Sequence, residues 1–251
     1  MNYYDLGTYS RPVTTSSDAA QKWFDRGLIW TYAYHHEEAI ACFNNALKED
    51  ETCAMAHWGI AYAIGPNYNK PWEAFEDDEK PDALKQAQDA IAAAAALKDK
   101  VSTWERALIE ALPHRYPKDA SVDAYAPWND AYANAMREVH KAHADDLDVC
   151  CLFAEAIMNR TPWQLWDLPS GQPAEGADTL EAISVLEDAF DKLDGAWSHP
   201  GLLHMYIHLM EMSPHPEKAL RHGDALSTLV PDAGHLLHMA THIDVLCGDY
   251  Q

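Results

Sequence analysis

Residues 20–46 read AQKWFDRGLIWTYAYHHEEAIACFNNA, and this stretch decides the fold. Trp23, Gly27, Trp30 and Tyr34 fall on a first helix, and Glu38-Ala39 opens a second that carries Phe43 and Ala46. Ser17 stands just ahead of Asp18, where a hydroxyl can cap the first helix.

The rest of the chain extends this pattern. Alternating β-branched residues are almost absent and no hairpin signal is evident, so the expected fold class is all-α. Residues 1–16, with Pro12 and a Thr-Thr-Ser-Ser cluster, read as an extended lead-in, and 17–251 as one helical domain. Further helices are expected over 83–97, 102–112, 121–143, 148–160, 178–193, 200–212, 216–229 and 234–247. Two long loops interrupt them, at 65–81 and 161–177. Loops of that length are uncommon in compact helical arrays and are often functional.

Composition narrows the function. Asp and Glu number 40 against 18 Lys and Arg, a formal net charge of −22. Nucleic-acid backbones and anionic membrane surfaces are polyanions, so neither is an expected partner. Five irregularly spaced cysteines point to free, mostly buried thiols in a reducing compartment. The N-terminal residues lack a basic region followed by an apolar run, and no apolar stretch is long enough to span a bilayer, so the expected location is cytoplasmic.

Chemistry concentrates in two histidine stripes. HMYIHLME supplies His204, His208 and Glu211; HLLHMATH supplies His235, His238 and His242. At about 100° per residue each set falls within an arc of roughly 60° on its helix. Two such helices can surround a metal, or a pair of metals, between them. Six side chains exceed the needs of one tetrahedral zinc. A histidine-rich shell favours copper, while carboxylates from Glu211 and Glu155 would favour iron; zinc is the third candidate. Trp58, Trp163 and Trp166 could wall a substrate pocket. His199, before Pro200, could cap a helix or support a ligand, and His215, between Pro214 and Pro216, is expected to cap. Structural or surface roles are expected for His35, His36, His114, His140, His143 and His222.

With Ala20 as the first position, Gly27, Ala39, Phe43 and Ala46 match the small and aromatic positions of the tetratricopeptide repeat, a 34-residue helix-turn-helix unit. The chain resembles that superfamily over 18–64 and 178–251, and more loosely between. Its His199-Pro200-Gly201, Gly234-His235 and Thr161-Pro162-Trp163 segments are similar to those of a histidine-rich group of microbial repeat proteins. The resemblance implies a solenoid of antiparallel helix pairs with two inserted loops. It also implies a concave groove lined by the second, fifth, ninth and twelfth positions of each first helix. In that register His57, His204, His208, Glu211, His235, His238 and His242 point inward. The last helix would lack its partner, implying either an incomplete chain or self-association through that helix. The favoured function is a metal-binding protein, and if catalytic an oxidoreductase activating oxygen for a small-molecule substrate. The alternative is a non-catalytic module holding a peptide or partner protein in the groove.

Overall fold

The computed structural model describes residues 3–116 and 124–249. It is all-α apart from one two-residue-per-strand hairpin, and its chain gathers into two compact units, residues 10–143 and residues 1–9 with 144–251.

The first unit holds α1 (Asp18–Tyr32), α2 (His36–Glu49), α3 (Ala54–Ile64), α4 (Glu79–Leu97), α5 (Thr103–Ala111) and α6 (Ala126–Ala142). Ser17 caps α1, its hydroxyl accepting from the Ala20 N–H at 3.2 Å. Tyr34, expected on the first helix, lies beyond it with φ 54°, in the left-handed turn that reverses the chain into α2. The second helix starts two residues earlier than expected, at His36. Ala20, Ala39, Phe43 and Ala46 are wholly buried. Phe43 lies between Gly27 of α1 and Gly59 of α3, and a Cβ on either glycine would come within 2.6 Å of its ring. The ring therefore occupies the space that side chains would fill, and this lets three helices pack closely.

Ser102 and Glu105 form a reciprocal capping box on α5. The buried Glu105 carboxylate also accepts from the Thr14 N–H at 2.7 Å and the Thr14 hydroxyl at 2.6 Å, which fixes the lead-in. The loop expected over 65–81 is shorter: a 3₁₀ turn at Trp72–Ala74 interrupts it, and α4 begins at Glu79 because Pro81 falls in the first turn, where proline is tolerated. Of the helix expected over 121–143, residues 121–123 lie outside the described residues and α6 begins at Ala126.

The second unit holds α7 (Leu147–Met158), α8 (Thr179–Lys192), α9 (Pro200–Met210), α10 (Leu220–Leu226) and α11 (Gly234–Cys247). Every residue of α9, and every residue of α7 after Leu147, is buried, so these two are core helices rather than surface helices with one apolar stripe. The helix expected over 216–229 opens as a 3₁₀ turn at Pro216–Ala219 before α10. The segment 161–177 is not structureless: β1 (Trp166–Asp167) pairs antiparallel with β2 (Gln172–Pro173). The missed signal was Ser170-Gly171, where Gly171 takes φ 67° at the tip. None of the five cysteines is in a disulfide, and all but Cys247 are buried. Among the described residues no helix is long and apolar enough to cross a membrane.

Candidate metal centre

The second unit brings the two histidine stripes together between α9 and α11. His204 and His208 lie one turn apart on α9, with ring centroids 4.6 Å apart. The Nε2 atoms of His204 and His235 are 3.1 Å apart. One ligand atom from each of His204, His208 and His235 lies within 4.8 Å of the other two, close enough to hold one metal ion. His204 and His208 are buried and His235 is half-buried. Burial, then the charges of His235 and His242, holds the His208 pKa well below the usual histidine value. His208 therefore stays neutral, the form in which imidazole binds metals.

Glu211, just past the end of α9, joins the stripes. Its Oε1 lies 2.7 Å from His208 Nδ1 and its Oε2 lies 2.5 Å from His242 Nδ1. Toward an ionised Glu211, which only accepts hydrogen bonds, both histidines donate from Nδ1, and each ring that is neutral then keeps its lone pair on Nε2. Burial raises the Glu211 pKa, and the hydrogen bond from His242 opposes that rise. Glu211 therefore orients two imidazoles from behind, an arrangement also common around histidine-bound metals. The final link is His242 Nε2, 2.8 Å from His238 Nε2 at the exposed rim.

The surrounding residues anchor α9 at both ends. His199 caps its N-terminus: Nδ1 accepts from the Leu202 N–H at 3.1 Å, so the ring proton sits on Nε2 and faces Asp148 Oδ1 at 3.2 Å. The other oxygen of Asp148 accepts from the Tyr9 hydroxyl at 2.7 Å. Sequence reasoning missed this Tyr9–Asp148 support, because its members are far apart in the chain. At the other end the Trp166 indole N–H donates to the Leu209 carbonyl at 2.7 Å, serving one of the carbonyls a helix terminus leaves without an intrahelical partner. Trp163, in the left-handed region at φ 62°, sets its ring edge-on to His208, with centroids 5.7 Å apart.

Three candidates are not members of that histidine triad. Glu155 is buried on α7, where it accepts from Asn159 Nδ2 at 3.2 Å, and burial pushes its pKa up to about 8. His57 is half-buried on α3 of the first unit; burial lowers its pKa, and a hydrogen bond to the Glu51 backbone opposes this. Trp58, beside it in the chain, is buried and stacked on Tyr62 with centroids 5.0 Å apart, as a core residue of that unit. His215, expected to cap, makes no capping hydrogen bond and instead faces Glu217 Oε1 at 3.2 Å, exposed to solvent. No known family model matches this chain, and no curated protein matches it.

Proposed function

We propose that this protein binds a transition-metal ion through His204, His208 and His235, on a helical scaffold of the tetratricopeptide kind. The observation that carries the reading is the convergence of these three imidazoles within 4.8 Å, two of them buried. An ion shared between the three imidazoles would link α9 to α11 and couple binding to folding. Three nitrogen ligands leave a coordination position for water or substrate, as catalytic sites do. Copper or iron held by these three histidines would supply oxygen activation, the chemistry of an oxidoreductase. Within the chain, Glu211 fixes the His208 ring and burial keeps it neutral. For the scaffold, the close crossing of Gly27, Phe43 and Gly59 supports the repeat-like reading. The free thiols support a cytoplasmic location.

Elemental analysis of protein purified without an affinity tag is expected to find close to one equivalent, or more, of copper or iron. A visible absorption band in the oxidised protein separates these from colourless zinc. His235→Ala, at a half-buried position, is expected to reduce the metal content sharply. Metal-free protein whose melting temperature does not move on adding copper(II), iron(II) or zinc(II) would sink this reading and favour a non-catalytic module that holds a peptide.

A further inference from the structure

We infer that His238 and His242 form a second cation site at the rim of the first, with Glu211 fixing one histidine of each. The inference deepens the reading of the triad as a metal centre and shares its carboxylate.

The argument is one of lone pairs. His242 Nδ1 faces Glu211 Oε2 at 2.5 Å, and in the neutral ring that donates there Nε2 carries the lone pair. The Thr241 hydroxyl donates to the His238 carbonyl at 2.7 Å, so its oxygen can only accept from His238 Nδ1, 3.4 Å away. That contact is long, but it favours a proton on Nδ1 and a lone pair on His238 Nε2. Two lone pairs then face each other at 2.8 Å. Neutral rings in these tautomers repel, and a cation between the nitrogens removes the repulsion.

The spacing also selects the type of ion. With nitrogens about 2.0–2.1 Å from a metal, a 2.8 Å separation subtends about 90°, the angle between neighbouring ligands of a square-planar or octahedral ion. Copper(II) and nickel(II) take such positions, and copper(II) binds nitrogen ligands most tightly of the divalent series. The 3.1 Å His204–His235 separation subtends a wider angle. The rim pair is open to solvent, so water can complete its shell. Glu211, with one oxygen toward each histidine set, lies behind both sites and is a ligand of neither.

Chelator-stripped, untagged protein is dialysed against micromolar copper(II), bound copper is counted, and the cupric electron-paramagnetic-resonance spectrum is recorded. Wild type is expected to hold two coppers per chain with two signals. His238→Ala, at an exposed position, is expected to hold one copper and lose one signal. His235→Ala is expected to lose the other signal while keeping the rim copper. Equal copper in wild type and His238→Ala overturns the rim site, and a deficit in His235→Ala would then leave the triad reading standing. If wild type binds no copper, the rim site falls, and the triad reading stands or falls on its iron and zinc binding.

Discussion

The two units bury polar side chains in opposite ways. In residues 10–143 the core is rich in donors. The Arg115 guanidinium, 3% exposed, lies over the Tyr62 and Tyr132 rings at 4.2 and 5.0 Å and donates to the Pro66 carbonyl. Beside it the Trp58 and Trp72 indole nitrogens and the Tyr62 hydroxyl are buried without a hydrogen-bond partner. In the second unit the excess is of lone pairs, on histidines that a carboxylate has oriented. A cation already belongs to the first core, held by ring faces and a carbonyl. In the second, the metal ion we propose would take that part. Buried polarity alone therefore does not mark a metal site; what matters is which end of each dipole faces inward.

The comparison can be broken at its strongest point first. If the first unit is held mainly by shape, Phe43→Ala should cost about 3–5 kcal/mol, because the flanking glycines have no side chains to fill the void. Urea denaturation measures this, and a loss below about 1 kcal/mol would mean that the ring is not the keystone of α1, α2 and α3. In the second unit a buried carboxyl makes stability depend on pH. Between about pH 4.5 and 8 the unfolded chain releases a Glu155 proton that the folded chain keeps, so stability falls as pH rises through that window. Glu155→Gln should abolish the fall and be the more stable form at pH 8, with no advantage near pH 4.5. The smallest effect lies on the acid side. Burial, aided by Arg221, pulls His222 down to about 4, with its ring stacked 4.0 Å from Tyr206. From about pH 6.5 down to 4 the unfolded chain takes up a proton that the folded chain refuses, so stability falls as pH falls. Melting curves of His222→Gln should be flatter across that window than those of wild type.

The parts that sequence reading located well are those set by local chemistry. The expected helix 234–247 matches Gly234–Cys247, and 102–112 comes within one residue at each end of Thr103–Ala111, because caps and periodicity are short-range signals. The histidine stripes were legible for the same reason, since spacings of three and four place side chains on one face. Tertiary placement was less legible. The 161–177 segment lacks strand residues, yet its hairpin forms where Trp166 reaches back to α9. Glu211 reads in sequence as another ligand, and only the approach of α11 shows that its second oxygen faces His242. Tyr9, Asp148 and His199 carry no shared motif, because the chain folds over long distances to join them.

Trp163 gives the protein its own optical gauge. Its indole, 40% exposed, stands edge-on to the ring of His208. Protonated imidazoles and paramagnetic ions both quench indole emission at such range. The difference in fluorescence between wild type and Trp163→Phe, followed as metal is added, should therefore report, in solution and without labels, whether the surroundings of His208 change.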